Sequence, residues 1–533
     1  PRSTPKPSSA ASDVYKRQLT IYSCSTIKFT NDFLNLNYKE FKFEITDSQS
    51  KNWHNLDLEK DSIPGMSVER AYQELLSDLE AKKVVVAVID AGIDINHEDL
   101  KDYIWVNENE IPDNQIDDDK NGYVDDINGW NFLGKSYNET LEMSRLIRDE
   151  KTDNPYYADA LKTIEDKLSE AKQDLKFYQP ILENYKIATN IIKKHLNVES
   201  FEINEIQDLD PEDEFVQRAK AFLTYSESVD LDLKRLEGLV RQFSDHINYH
   251  YNINFNGREI VGDDVYNLDD NIYGDSEVIH SKESESHGTH VSGIIGANRN
   301  NNLGMKGVNN NIELMAIRAV PNGDEYDKDI SLAIRYAVDN GAKVINMSFG
   351  KSFSTNPEWV YDAIKYAEKK SVLIVHAAGN DDKDLDDSND KNFPNDHDYK
   401  SEFVKNYISV GASTLNFNED LVAYFSNYGR KNVDIYAPGY EVYSSTPNNK
   451  YDFKSGTSMA APSVTGVASL VLSYFPKISA NRLKEIILES GLEVNFHVNH
   501  DEKNILFEDL SRSGKIVNAY NALLLASGKR NKE

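Results

Sequence analysis

Cysteine is nearly absent. Cys24 stands alone in 533 residues, so no disulfide can close within the chain and no cysteine-rich zinc or iron–sulfur site can be assembled. Long apolar runs are missing too, since no stretch approaches the ~18 residues that span a bilayer as a helix. Bases are in deficit, 59 against 89 acids, and a formal charge of −30 repels phosphate backbones and anionic lipid surfaces. A nucleic-acid or membrane-surface role is therefore disfavoured. An initiator methionine is also lacking, and residues 1–18 read as translated adapter sequence, which removes them from any argument about the fold. What remains is an ordinary globular composition, 39% hydrophobic and 28% charged, with length enough for a large core.

The position of Cys24 matters more than its solitude. Leu19-Thr20-Ile21-Tyr22-Ser23-Cys24 resembles the end of a bacterial lipoprotein signal, with an aliphatic residue at −3 and a small one at −1. Tyr22 departs from the usual small residue, and the basic and apolar regions that should come first are missing. Two readings stay open: a lipid anchor at Cys24, which implies the bacterial cell envelope or exterior, and an ordinary thiol near an N-terminus.

Residues 84–89, Val-Val-Val-Ala-Val-Ile, form a β-branched apolar run ending in Asp90. Such a run predicts a strand buried on both faces, as in a parallel sheet, whose carboxyl end is where chemistry collects. Residues 344–347 and 372–375 are similar, and helical spacing appears over 330–340 and 359–369, with Gly341 as a stop signal. Strands alternating with helices predict an α/β fold with a mostly parallel central sheet.

Residues 134–255 break that rhythm. Leu161, Ile164, Leu168, Ala171, Leu175, Tyr178, Leu182, Tyr185, Thr189, Ile192 and Leu196 recur at three- and four-residue steps, a helix seam that Pro180 should kink. A second seam runs through Val229, Leu233, Leu236, Val240, Phe243 and Ile247 after an acidic break at 208–213. Together they predict an inserted α-helical hairpin or, failing that, two separate amphipathic helices lying on the core.

Three blocks carry the chemistry: Val-Ala-Val-Ile-Asp-Ala-Gly around Asp90, Ser-His-Gly-Thr-His-Val around His287, and Ser-Gly-Thr-Ser-Met-Ala-Ala-Pro around Ser458. A serine hydroxyl is a weak nucleophile until a base takes its proton. Imidazole can do so near neutrality, and a carboxylate fixes its tautomer. Ser458 opens the apolar stretch 459–474, which predicts a helix N-terminus favouring developing negative charge, with Pro462 tolerated in the first turn.

In the chain order Asp, His, Ser, these blocks resemble the subtilisin-like serine peptidases, over about 60–135 and 256–525. The resemblance implies a three-layer subtilisin fold and an endopeptidase acting on proteins or peptides through an acyl-enzyme. It makes Asp90, His287 and Ser458 the triad and Asn380, in His-Ala-Ala-Gly-Asn, the oxyanion-hole residue. It also makes Ser348, Phe349 and Gly350, with Ala377, Ala378 and Gly379, the two backbone walls of the pocket for the residue before the cut. Ala91 departs from the Ser or Thr usual beside the acid. Asp324, Glu325 and Asp327 lie where relatives build an edge of the cleft, which predicts a preference for basic residues upstream of the cut. His290 and His97 read as structural rather than as metal ligands.

In the loop 116–126, Asp117, Asp119 and Asn121, the Tyr123 carbonyl and Asp125 have the spacing of the first half of a calcium loop. The twelfth position is Asn128, so the completing Glu is absent; a structural calcium site with a borrowed ligand and a solvated acidic turn both remain open. No metal or cofactor is expected in catalysis. The chain thus divides into an adapter-like start (1–18), a signal remnant and linker (19–60), a first catalytic part (61–133), the helical insertion (134–255), a candidate docking element for a protein partner, and a second catalytic part (256–527). The competing function is a non-catalytic surface binding protein on the same scaffold.

Overall fold

The computed structural model describes residues 45–397, 401–500 and 503–528, so Cys24 and the adapter-like start lie outside the described residues. Strands β1 (Val84–Asp90), β2 (Gly129–Asn131), β3 (Ile312–Arg318), β4 (Val344–Met347), β5 (Leu373–Ala377), β6 (Tyr407–Ser413) and β7 (Ile435–Pro438) make the sheet, with β10 (Leu492–Glu493) and β13 (Lys515–Ile516) at one edge. Two hairpins lie outside it: β8 (Val442–Thr446) with β9 (Lys450–Lys454), and β11 (His497–His500) with β12 (Lys503–Leu506). The order across the sheet is β10-β13-β7-β6-β5-β4-β1-β3-β2, parallel throughout except at β10–β13.

Strand β1 explains the three layers. Its side chains alternate between faces, so Val84, Val86 and Val88 join one apolar cluster and Ala87 and Ile89 the other. The first cluster takes in helices α6 (His287–Gly296), α9 (Thr457–Tyr474), α10 (Ala480–Ser490) and α11 (Ala519–Ala526). The second takes in α7 (Asp327–Asp339) and α8 (Pro357–Lys369). A strand buried on both sides has no polar face, which is why 84–89 is continuously apolar. The compact unit also begins earlier than the expected boundary at 61: Trp53 is fully buried and its Nε1 donates to Glu441 O.

The helical segment is α1 (Glu142–Arg148), α2 (Tyr157–Leu196), α3 (Ile203–Gln207), α4 (Glu214–Ser228) and α5 (Leu233–Asp245). The first seam forms one 40-residue helix that continues through Pro180. Pro180 and Lys176, whose carbonyl loses its partner, are both exposed, so water can satisfy that carbonyl. The second seam forms α5 and runs on to His250, with Phe243 stacked on Tyr178 and Ile247 beside Ile164 and Ala171. The plain hairpin is incomplete as a description, because α3 and α4 lie between the seams and pack on the far half of α2. Ile206, Val216, Ala219 and Leu223 bury there with Leu182, Tyr185 and Ile192. Departure and return points adjoin, Leu141 N donating to His250 O at 3.0 Å.

Candidate active site

Three adjacent strands deliver the site. β1 ends at Asp90, β4 runs into Ser348, and β5 leads through Ala377 to Asn380, all at the carboxyl end, where the strand order reverses between β1 and β4. Two helix N-termini face them, α6 beginning with His287 and α9 carrying Ser458 as its second residue.

Asp90 is buried, and both its oxygens accept from His287 Nδ1, at 2.8 and 3.0 Å. With Nδ1–H given to the carboxylate, Nε2 is the ring nitrogen left with a lone pair. The missing hydroxyl at Ala91 has a substitute: its backbone N–H donates to Asp90 Oδ1 at 2.8 Å. Gly288 fits only as glycine, because a Cβ there would lie 3.0 Å from Asp90 Cβ and 2.5 Å from Gly92 O.

Ser458 is half-buried. Its hydroxyl donates to Ser348 O at 3.1 Å, while Ser348 Oγ donates back to Ser458 O at 3.0 Å. Among the described residues no hydrogen bond joins Ser458 Oγ to His287 Nε2. Rotation about one side-chain bond redirects the hydroxyl, and catalytic contacts commonly tighten only with substrate bound.

Asn380 is oriented by a residue that the sequence displayed without revealing its role. Thr457 N and Oγ1 both donate to Asn380 Oδ1, at 2.8 and 3.0 Å, and Thr457 Oγ1 accepts from Gly379 N at 3.1 Å. With Oδ1 held, Nδ2 is the free donor. A point one bond off Gly456 lies 3.6 Å from both Asn380 Nδ2 and Ser458 N, so the two donors converge on one space.

The two walls are also brought together, and Asn392 closes their base. Its Nδ2 donates to Ala378 O at 2.9 Å, and a Cβ on Gly350 would come within 2.7 Å of its Oδ1. Gly379 has φ +102° and sits against Asn427, whose Nδ2 also donates to Ala378 O. Ala377, Ala378 and Ser348 are buried, and the Phe349 ring packs partly into the core while its carbonyl accepts from His376 Nε2 at 2.7 Å. Burial pushes the His376 imidazole down to about 4, leaving it a neutral donor. Nothing in the sequence singled out Asn392 or Asn427, since each acts through a contact distant along the chain.

The acids expected at the cleft edge are spent internally. Asp327 pairs with Lys351 at 2.9 Å and accepts from Ser354 Oγ, while Glu325 is buried at 2% exposure. Lys351 also meets Glu142 of α1 at 3.2 Å, and Arg145 donates to the carbonyls of Asp324 and Glu325. Lys351 of the body takes Asp327, and the helical segment covers Asp324 and Glu325 through the Glu142 amide and Arg145, so these acids are buried away from a basic substrate. His290 Nε2 meets Asp452 O and His97 Nε2 meets Lys450 O, both within the core, in keeping with their structural reading.

The acidic loop gathers a different set from the one its spacing suggested. Asp117 spends its oxygens on the Asn121 and Gly122 amides, Asp125 on those of Asn114 and Gln115, and Tyr123 packs its ring on Trp130 and Tyr336. Asn121 Nδ2 bridges Asp119 and Asp126. Asp119 instead joins Glu110 and Asp126, with carboxylate oxygens within 4.8 Å of one another. Among the described residues no Lys or Arg pairs with these three, and burial pushes Asp126 up to about 6, beside Asp119. An all-oxygen, uncompensated set suits a hard cation.

The subtilase family model matches residues 81–506. The thermophilic serine proteinase of Bacillus sp. (strain AK1) is 37% identical over 218 residues, 41% of this chain and 48% of that protein. Subtilisin DY of Bacillus licheniformis is 34% identical over 206 residues, 38% of this chain and 70% of that one. A solved protease of Pseudoalteromonas arctica PAMC 21717 is 28% identical, with TM-score 0.37, covering 45% of this chain and 70% of its own. The matched part thus spans about half the length of the thermophilic proteinase. With a match running through all four catalytic blocks and most of the chain, the protein belongs to the subtilase family.

Proposed function

We propose that the chain is a serine endopeptidase working through Asp90, His287 and Ser458. The observation that carries this is the 2.8 Å bond from His287 Nδ1 to buried Asp90, in a site where Asn380 Nδ2 and Ser458 N face one space. His287 Nε2 takes the Ser458 proton as Oγ attacks the substrate carbonyl; Asn380 Nδ2 and Ser458 N–H stabilise the oxyanion. The imidazolium then protonates the leaving amine, and water attacks the acyl-enzyme by the reverse path. Labelling of Ser458 by a fluorophosphonate, together with cleavage of an unfolded protein, tests the reading. Neither occurring would leave the non-catalytic binding protein as the better account.

Three finer points belong to the same proposal. Glu110, Asp119 and Asp126 would hold a structural calcium ion. The Cys24 segment supports a lipid anchor and a location in the bacterial envelope or outside it, tested by mass spectrometry of the protein expressed from its true start. The helical segment acts on access to the cleft or on a protein partner. Its α5 supports this by meeting the body at two points, Lys234 pairing with Asp452 at 2.5 Å and Asp245 accepting from Asn322 Nδ2 at 3.0 Å.

A further inference from the structure

Strand β9 leads into the Ser458 helix, and its partner β8 packs on the His287 helix. Ser444 and Ser445 of its partner β8 donate to the carbonyls of His290 and Thr289, and His290 Nε2 returns to Asp452 O. The last residue of β9 is Lys454, whose Nζ donates to Ser286 Oγ at 2.6 Å, one residue before His287. This ammonium is half-buried at the rim of the site, and among the described residues no carboxylate lies within ion-pair distance of it. Asp90 and Asp452 attract it only from beyond ion-pair distance, which leaves its burial incompletely offset.

The charged groups around Lys454 are already engaged. Asp90 accepts from His287 Nδ1 and Ala91 N; Asp452 pairs with Lys234 through one oxygen and accepts Phe453 N through the other. Lys234, from the helical segment, adds a second positive charge nearby, and burial holds the Lys454 ammonium below the ordinary lysine value. A carboxylate arriving from outside would relieve both the desolvation and the repulsion.

The chemistry of the site says from which part of a substrate that carboxylate would come. Ser348 and the pocket walls lie on one side of Ser458 and hold the residue before the cut. The leaving amine must receive its proton from His287 Nε2, so the chain after the cut passes across the His287 face. Lys454 stands on that face. We propose that Lys454 is a specificity-determining residue that favours substrates with Asp or Glu at the first or second position after the cleaved bond. This rests on the peptidase reading above and adds the class of substrate.

The test profiles the purified full chain and its K454Q, K454R and K454E variants on peptides that differ only after the cut, Glu against Gln and Lys. The quantity read is the ratio of kcat/KM within each enzyme, which cancels any general loss of activity. Wild type should favour Glu over Gln by roughly five- to tenfold, as for a partly desolvated ion pair. K454R should keep the preference, K454Q should lose it, and K454E should turn it towards Lys. Equal ratios in wild type and K454Q, or no preference for Glu in wild type, would overturn the proposal. Cleavage of a peptidyl p-nitroanilide, which has no residue after the cut, separates the two failures. If wild type neither cleaves it nor reacts with a fluorophosphonate, the peptidase reading itself falls and this proposal falls with it.

Discussion

The sheet body and the helical segment solve the same problem, burial of polar groups, in opposite ways. In the body, function comes off strand ends and helix starts whose backbones are fixed by a two-sided apolar core, so Asp90, Ser348 and Asn380 need little outside help. The segment has two halves. Its near half, α1 with the first turns of α2, is wired into the body by ions: Glu142 with Arg145 and Lys351, and Arg145 with the carbonyls of 324 and 325. Its far half, built on α3, α4 and the N-terminal part of α5, has a separate apolar cluster. Bond making should therefore depend on the body, folding on the body and near half together, and access on the far half.

The largest expected effect tests the first clause. Ser458→Ala should lower kcat by about 10⁶, the loss that replacing the nucleophile brings in subtilisin itself, with circular dichroism unchanged. Activity near wild type would break the assignment of chemistry to the body. Asn380→Ala should cost about 10²- to 10³-fold in kcat with little change in KM, again the scale known from subtilisin. Because Asn380 is exposed and held through Oδ1 by Thr457, Tm should barely move. A loss confined to KM would instead make it a ground-state binding residue.

A pair of deletions separates the two halves of the segment. Excising the whole of 136–253 removes Glu142 and Arg145 and leaves buried Lys351 without one of its acids. Stranding one partner of a buried ion network costs several kcal/mol, about 3–5 in other proteins. That variant should fail to fold or melt far below wild type. Replacing only 179–242 with a short Gly/Ser linker keeps the Tyr178–Phe243 stack and the cluster of Ile164, Ala171 and Tyr251. That variant should fold and cleave small peptides while changing its activity on large folded proteins. If the shorter deletion is folded yet inert towards small peptides, the far half belongs to the catalytic machinery.

Calcium sharpens a related contrast. The acids near α1 have Arg145 and Lys351 as counter-ions, whereas Glu110, Asp119 and Asp126 have none among the described residues. Millimolar calcium should therefore raise Tm by a few degrees, as any ligand specific to the folded state does, and Asp126→Asn should abolish the increment. Equal response in wild type and variant would place the ion elsewhere.

How much could be read in the sequence follows from the range of the interactions. The strands at 84–89 and 344–347, the triad blocks and the helix opened by Ser458 are local patterns, and they stand where the spacing put them. Asp324 and Asp327 were legible as acids, but not as acids turned onto the Glu142 amide and onto Lys351, because those partners are distant along the chain. The calcium-loop spacing was likewise legible, yet the fold gathers Glu110 with Asp119 and Asp126 and leaves Asp117 and Asp125 outside that cluster. Thr457 and Asn392 act only through contacts that spacing cannot express.

The smallest effect lies at the junction between body and near half. Glu325 is buried, its Oε1 has no hydrogen-bond partner among the described residues, and burial, reinforced by Asp324 and Asp327 against Lys351, raises its carboxyl from 4.5 to about 8. The folded state therefore holds a proton at neutral pH that the unfolded chain releases. A carboxyl raised in this way contributes stability that is fully present below about 4.5 and is lost as pH rises towards 8. Glu325→Gln keeps the neutral shape and removes the titration. Across a Tm series from pH 5 to 8, the variant should match wild type at the acid end and exceed it by a few degrees at the alkaline end. Parallel curves would mean that Glu325 is ionised in the folded protein, and that Lys351 and Arg145 together compensate every acid at the junction.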